Sequence, residues 1–279
     1  MYNPKQIGGE STDYPVLSTM SFVNNFTPPP PEPVLAESEL YGPTPYDINF
    51  AYPLYEETLR TDRLKLVPFI PSIHAETYWK HVKDRPELFQ YYPVLYSTLR
   101  DFLTWYELTV RRNPYYLGLT MIDVTRPDPE HPEWGGSLAG IVNICSTVPQ
   151  NLTTEIGYIV VFPEFQHTHI AKEMVALSQR YILQLPTQSP PGIGFRRLQW
   201  CAHPGNAPSV GLAKRMWFKP EGAMRYMWVL PKELSHMGAK GREGDQFSGQ
   251  GARHTAVLSV CWDDWEEEVR AKNEDFLNK

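Results

Sequence analysis

The chain has 279 residues and a formal net charge of −6 at neutral pH. Hydrophobic residues make up 42% of it and aromatic residues 13%, which is enough apolar surface to form a core and excludes a wholly disordered chain. The excess of acidic residues argues against a protein that binds nucleic acid through its phosphates, and it gives no sign of attraction to a membrane surface. We therefore expect neither nucleic acid nor a membrane as a partner, and any anionic ligand must be held by a local site.

The three cysteines, Cys145, Cys201 and Cys261, lie far apart and form no CxxC motif. An odd number of cysteines in apolar runs indicates buried, reduced thiols. The first residues lack the charged and then apolar pattern of a signal peptide, and no apolar run reaches the roughly 18 residues of a membrane-spanning helix. We predict a soluble, cytoplasmic protein.

Proline is concentrated at the start of the chain, where ten of the 27 prolines precede residue 54. The run at 27–33 contains five of them and favours an extended polyproline conformation. We predict a Pro-rich N-terminal arm over residues 1–56 and a single domain over residues 57–279. The arm is expected to be a solvated leader, and the alternative is a strap lying on the domain or on a dimer mate, which its several aromatic residues suggest.

From residue 58 onward, apolar periodicity and turn residues predict an ordered series of elements. They are a strand over 64–69, helices over 71–83 and 97–112, strands over 115–123, 137–146 and 154–162, a helix over 168–185, a strand over 196–202, a helix over 207–217, strands over 223–230 and 255–262, and a short charged helix. The Gly-rich stretch 240–253 is predicted to be mobile. This order predicts an α/β (α+β) fold with a mixed, mostly antiparallel twisted sheet and helices on both faces.

Two segments carry the functional signal. Residues 155–171 read as a buried strand that turns directly into a helix, so that free N–H groups and the positive end of the helix dipole point to one place. Such a junction suits a pyrophosphate. The second segment, Asn206-Ala-Pro-Ser209, follows a strand and has the composition of a helix N-cap.

Together these segments resemble the Gcn5-related N-acetyltransferase (GNAT) superfamily, in particular its RimJ/RimL-like branch, over about residues 58–230. The matching motifs are Thr58-Leu-Arg-Thr-Asp-Arg-Leu-Lys-Leu as the first strand, Thr154-Glu-Ile-Gly-Tyr as the fourth, Gln166-His-Thr-His-Ile-Ala171 as the acetyl-CoA loop Q/R-x-x-G-x-G/A, Asn206-Ala-Pro-Ser209 as N-x-x-S, and Ala213-Lys-Arg-Met-Trp-Phe-Lys-Pro-Glu-Gly222 as A-x-K-x-G-F-x-x-E-G. The resemblance implies the GNAT fold and acetyl-CoA as co-substrate.

The resemblance also implies the cofactor contacts. Pantetheine would pair with the fourth strand at the backbone of Ile159, Val160 and Val161, and Asn206 would hold a pantetheine or backbone carbonyl. The backbone of the loop would bind the pyrophosphate, and its residues are Gln166, His167, Thr168, His169, Ile170 and Ala171.

Two positions depart from the family pattern. His169 stands where the loop has glycine, so either its backbone avoids positive φ or it accepts strain, and its imidazole is a further candidate contact for phosphate. Trp217 replaces the glycine before Phe218, and we expect the last turn of that helix to close differently.

Acetyl transfer requires a neutral amine, and a carboxylate is a suitable acceptor for its proton. The resemblance makes Glu155 the candidate base, and the alternative is a carboxylate paired with a lysine or arginine. The family's proton-donating tyrosine corresponds to Ala213, so Ser209 is the candidate donor to the thiolate, with N-capping as the alternative. Tyr158 is a second candidate, unless it is a core or substrate-wall tyrosine.

The residues leave the acceptor open. Tyr91 and Tyr92 favour an apolar or cationic acceptor through cation–π contact, or they pack between helices. We predict direct acetyl transfer from acetyl-CoA to a primary amine of a small molecule or a peptide N-terminus, by a monomer or homodimer, with no metal. One alternative is a GNAT-fold protein that binds acyl-CoA without turnover. The other is a serine hydrolase that uses Ser209 in Ala207-Pro-Ser-Val-Gly211.

Overall fold

The computed structural model describes residues 22–279. A first unit ends at Val34, and its residues 22–34 are exposed and form neither helix nor strand. The second unit, Leu35–Lys279, contains every helix and strand described below.

A seven-stranded sheet forms the centre of the second unit. Its strands are β1 (Leu64–Pro68), β2 (Leu117–Asp123), β3 (Ser137–Val148), β4 (Thr153–Val161), β5 (Arg197–Ala202), β6 (Lys219–Val229) and β7 (Ala252–Cys261). Their order in the sheet is β1-β2-β3-β4-β5-β7-β6. Of the strand pairs within residues 22–279, only β4–β5 is parallel, so the sheet is mixed and mostly antiparallel, as predicted.

Helices cover both faces of this sheet. They are α1 (Pro71–Val82), α2 (Leu99–Trp105), α3 (Ile170–Leu183), α4 (Ala207–Arg215), α5 (Trp262–Asp264) and α6 (Arg270–Leu277), and π-helical turns follow α2 and α5. On β5, Trp200 contacts α4, whereas its neighbour Gln199 contacts β4 from the other face. The predicted fold class is confirmed, and α3 is almost wholly buried in the core.

The segment from Leu35 to Tyr55 packs on the domain. Leu35 and Leu40 are buried, and several aromatic residues lie against the core. The Tyr181 hydroxyl donates a hydrogen bond of 2.8 Å to the Pro53 carbonyl. The predicted arm over residues 1–56 thus spans both units, and residues 1–21 lie outside the described part of the chain.

The sheet opens between β4 and β5. These strands pair only from Thr153 to Glu155 on β4, opposite 197–199 on β5, and then diverge. A bulge in β4 lies at the point of divergence, because Gly157 and Val160 are opposite residues of β3 that are only two apart. Tyr158 takes a left-handed backbone with φ of 50° in this bulge. We call the resulting space the β4–β5 gap.

Strand β6 forms one edge of the sheet, and its outward side chains are exposed and largely apolar. Three of its residues, 225–227, bulge opposite His254 of β7. The backbone N–H of Tyr226 donates to the His254 ring across this bulge at 2.9 Å. The apolar side chains here are Met224, Tyr226, Met227, Trp228 and Val229, which are 37–54% exposed.

Candidate active site

The start of α3 presents free backbone donors at one end of the β4–β5 gap. Among residues 22–279, no acceptor pairs with the N–H groups of His167, Thr168, His169, Ala171 and Lys172. These groups and the helix dipole form a site for an anion. Within the described chain, four of the six residues of the predicted pyrophosphate loop, 167–169 and 171, therefore have an unpaired backbone N–H at the start of α3.

The two loop histidines have different backbones. His169, at the position of the family glycine, has φ of −70° and avoids the left-handed region. His167 instead takes that conformation, with φ of 61°. The His169 ring turns toward buried Asp123 at the end of β2, and its Nε2 lies 3.5 Å from Asp123 Oδ1. The contact with Asp123 ties the loop to the sheet.

Two carbonyl groups of β4 accept side-chain hydrogen bonds beside the gap. The Tyr92 hydroxyl donates to the Ile159 carbonyl at 2.7 Å, and the Gln166 amide donates to the Val161 carbonyl at 3.0 Å. Val160, between them, lies opposite Ile141 of β3. Ile159 and Val161 are thus the two residues whose carbonyls are directed away from β3.

The start of α4 is capped by Asn206. Its side-chain oxygen accepts a hydrogen bond of 3.2 Å from the backbone N–H of Ser209. The Ser209 hydroxyl oxygen accepts a hydrogen bond of 3.0 Å from the Trp200 indole. Among the residues that the structure describes, no histidine contacts this hydroxyl, so the geometry lacks the nucleophile–base pair that a serine hydrolase requires.

The end of α4 closes in the way that a glycine would close it, contrary to our expectation. Trp217 has φ of 67°. The N–H groups of Trp217 and Phe218 donate to the carbonyls of Lys214 and Ala213, which is the Schellman pattern. Tryptophan thus accepts the left-handed conformation.

Glu155 lies on β4 just before the gap and is half-buried. Its Oε2 accepts a hydrogen bond of 3.1 Å from the Gln199 amide, and it forms no ion pair with any residue of the described chain. Burial raises the pKa of Glu155 above the ordinary carboxyl value, and the hydrogen bond from Gln199 opposes that shift. A Cβ at Gly157 would lie 3.1 Å from Glu155 Oε1, so the glycine leaves room for this carboxylate.

Tyrosine and tryptophan side chains form a wall beside Glu155. The rings of Tyr92 and Tyr158 stack with centroids 6.2 Å apart, and Trp105 lies 5.0 Å from Tyr158. Burial raises the pKa of Tyr158 and of Tyr92, so both hydroxyls are protonated at neutral pH. Tyr91 lies farther out, with its ring centroid 5.3 Å from that of His203.

The structure adds residues that the motifs did not indicate. Gln199 orients Glu155, and Trp200 binds Ser209. Arg253 and Thr255, on β7, are buried on the Glu155 side of the sheet. Sequence analysis assigned Arg253 to the Gly-rich stretch, but β7 begins at Ala252, and no local motif marks its burial.

Two observations concern metal ions and membranes. Within residues 22–279, Cys261, Asp263 and Asp264 form a group with potential ligand atoms within 4.8 Å of one another. Asp264 there accepts from the Cys261 N–H and pairs with Lys219. The described helices include none that is both long and apolar enough to span a membrane.

Comparison with solved structures identifies the same fold elsewhere. A GCN5-related N-acetyltransferase from Brucella melitensis has a TM-score of 0.59 and 22% identity, over 78% of this chain and 84% of that one. RimJ from Mycobacterium smegmatis, in complex with CoA-disulfide, has a TM-score of 0.55 and 13% identity, over 76% and 88%.

A spermidine N-acetyltransferase from Vibrio cholerae, in complex with CoA and spermine, has a TM-score of 0.53 and 11% identity, over 74% of this chain and 100% of that one. No curated protein matches the sequence. The family model described as an acetyltransferase (GNAT) domain matches residues 63–219, which is more than half of the chain. The chain belongs to the GNAT acetyltransferase family.

Proposed function

We propose that this protein is an acetyl-CoA-dependent N-acetyltransferase that transfers acetyl directly to a primary amine of a small molecule or a peptide N-terminus. The observation that carries the proposal is the β4–β5 gap, which has backbone carbonyls along one side and the free N–H groups of the α3 start at its end. Two GNAT proteins of similar fold were solved with CoA or a CoA disulfide.

Residues of the gap fit the chemistry of CoA. The N–H groups from His167 to Lys172 suit the pyrophosphate, and the carbonyls of Ile159 and Val161 suit the amide groups of pantetheine. Each carbonyl oxygen has a second lone pair, so the bonds from Tyr92 and Gln166 leave one acceptor position. Acetyl-CoA would supply the activated acetyl group.

Glu155 is suited to take the proton of the ammonium group. An α-amino group has a pKa near ~8, and the raised pKa of Glu155 brings the base closer to that value than an exposed carboxylate would be. Gln199 holds one oxygen, and Gly157 gives the other room. We therefore assign the role of general base to Glu155.

Ser209 is the better candidate for returning a proton to the thiolate. Its oxygen is already bonded to the Trp200 indole, so its hydroxyl hydrogen is free to donate, since no acceptor for it lies among residues 22–279. Tyr158 is the second candidate, because its ring stacks with Tyr92 and contacts Trp105 as part of the aromatic wall.

The proposal is tested by binding and turnover. We expect calorimetry to show acetyl-CoA binding in the micromolar range, and thiol release to follow on addition of a primary amine. No binding at ~100 μM acetyl-CoA would refute the proposal. Tight binding without thiol release on any amine of a broad panel would instead establish the non-catalytic alternative.

A further inference from the structure

Arg253 is a buried cation without an anionic partner. Only 6% of the residue is exposed, and its Nε is wholly buried. Within residues 22–279, no carboxylate pairs with it and no group accepts a hydrogen bond from its Nε. A buried charge without a counter-charge is unfavourable, so such a residue points to a ligand that supplies the anion.

The strand register places this cation on the face of the sheet that carries the candidate base. Val257 of β7 lies opposite Cys201 of β5, and alternation along β7 puts Thr255 and Arg253 on the same face as Cys201. Gln199, two residues before Cys201, contacts Glu155 from that face. Arg253 thus lies beyond the end of β5, on the side of the β4–β5 gap to which Glu155 belongs.

Other groups near Arg253 agree with this placement. Burial raises the pKa of Glu155 and of the Tyr92 hydroxyl, and the positive charge of Arg253 opposes both shifts. Burial lowers the pKa of His203, and the same charge adds to that shift, so all three groups lie within electrostatic range of Arg253. Glu155 nevertheless forms no ion pair with it, and each charge remains available to a ligand. Thr255, only 1% exposed, has a hydroxyl that also finds no partner among residues 22–279.

We infer that Arg253 binds a carboxylate of the acyl acceptor, and that the acceptor is an amino acid whose ammonium group faces Glu155. This inference rests on the proposed function and narrows its substrate class. A guanidinium presents two parallel donors that match a carboxylate, and the Thr255 hydroxyl supplies a third donor nearby. A polyamine would place a cation against Arg253 and is disfavoured.

The first experiment compares acceptors that differ only at the carboxylate. Thiol release is measured with an L-amino acid, its carboxamide and its decarboxylated amine. We expect kcat/KM for the amino acid to exceed that for the other two by at least about 10-fold. Arg253→Gln removes this preference and leaves KM for acetyl-CoA unchanged, and Arg253→Lys restores part of it. The matched control is Arg225→Gln on exposed β6, which keeps the preference.

The second experiment does not need turnover. Calorimetry with CoA present compares an N-acetyl amino acid with its amide, in the unmodified protein and in Arg253→Gln. We expect only the acid to bind, and only with Arg253 in place. Thermal unfolding shows whether each variant is folded. If Arg253→Gln is not folded, Arg253→Met is used in its place, because methionine keeps the apolar stem of the side chain.

Three results would overturn the inference. The first is that the carboxamide reacts, or the amide of the N-acetyl amino acid binds, as well as the corresponding acid. The second is that the preference for the acid survives Arg253→Gln, and the third is that neither the amino acid nor its N-acetyl product binds although acetyl-CoA does. An Arg253-dependent preference for succinyl-CoA over acetyl-CoA would also overturn it, because the carboxylate would then belong to the acyl donor. Failure of acetyl-CoA to bind refutes the proposed function but not the role of Arg253. Binding of the N-acetyl amino acid still tests whether Arg253 holds a carboxylate.

Discussion

The two sides of the β4–β5 gap present different kinds of polar groups. At the start of α3, the donors are backbone N–H groups, and the ring of His169 is directed toward Asp123. On the Glu155 side, the candidate functional groups are side chains of β4, β5 and β7. A backbone site tolerates substitution if the chain path is kept, whereas a side-chain site depends on each residue. We therefore expect the backbone site to tolerate His169 in place of the family glycine, since His169 has an ordinary φ.

The largest effect is expected on the side-chain part of the site. Glu155→Gln keeps size and the contact with Gln199 but removes the proton acceptor, so kcat should fall by roughly 10²–10⁴-fold. The loss should shrink at high pH, where the amine is already neutral, and acetyl-CoA affinity should be kept. Steady-state kinetics from pH 6 to 10 measure this. The control is exposed Glu133→Gln, and a wild-type rate in Glu155→Gln at neutral pH would remove the residue from the mechanism.

Glu155→Gln should lower kcat but raise the stability of the folded protein. The pKa of Glu155 is raised in the folded state, so folding disfavours its ionised form. Stability is therefore lost as pH rises from the unfolded pKa through the raised folded pKa, and a neutral glutamine avoids that loss. We expect Glu155→Gln to raise the melting temperature at pH 7 more than at pH 4. An equal shift at both values would contradict the burial of the charge.

At the start of α3, acetyl-CoA affinity should depend on the size of the neighbouring side chains and not on their chemistry. Ala171→Phe places a ring beside the free N–H groups and should weaken acetyl-CoA binding by at least about 100-fold in calorimetry, with the fold kept. Ala271→Phe is the matched control, because Ala271 is also the second residue of its helix and is exposed. Unchanged affinity in Ala171→Phe would move the phosphate site elsewhere.

Tyr92 connects the two parts. Tyr92→Phe removes the donor to the Ile159 carbonyl and should destabilise the free protein by about 1–3 kcal/mol. The loss should be smaller with CoA bound, because pantetheine then supplies a donor to that carbonyl. Denaturant unfolding with and without CoA compares the two states. Tyr91→Phe is the control, since no described residue bonds its hydroxyl, and an equal loss with and without CoA would place pantetheine elsewhere.

The smallest effect distinguishes the two loop histidines. His167 has a left-handed backbone, so glycine at this position relieves backbone strain. Glycine also raises the conformational entropy of the unfolded chain, which offsets that gain, and His167→Gly should therefore change the free energy of unfolding by no more than ~0.5 kcal/mol. His169 has ordinary φ and contacts Asp123, so His169→Gly should cost about 1 kcal/mol or more. Unfolding free energies of both variants measure the difference. Equal losses would show that the backbone assignment of the loop is wrong.

Much of the fold could be predicted because it follows local patterns. Periodicity located α1, α3 and α4 to within a few residues, and the order of motifs indicated the family. The left-handed Trp217 could not be predicted, because the composition of α4 does not show which residue will accept strain. The burial of Arg253 could not be predicted either, since it depends on pairing of β7 with β5, about 50 residues earlier in the chain.

The exposed edge of β6 has a consequence for aggregation. A flat apolar edge strand offers its unpaired backbone to a strand of another molecule, and repeated additions lead to fibres. Here Lys219 and Pro220 occupy the start of the strand, and the bulge at 225–227 interrupts its ladder. Because of these features, β6 offers no long, straight edge to which a strand of another molecule could add. Shortening the bulge would straighten β6 and create an edge on which a strand of another molecule could pair. The residues of that edge do not favour such pairing in the folded protein as it is.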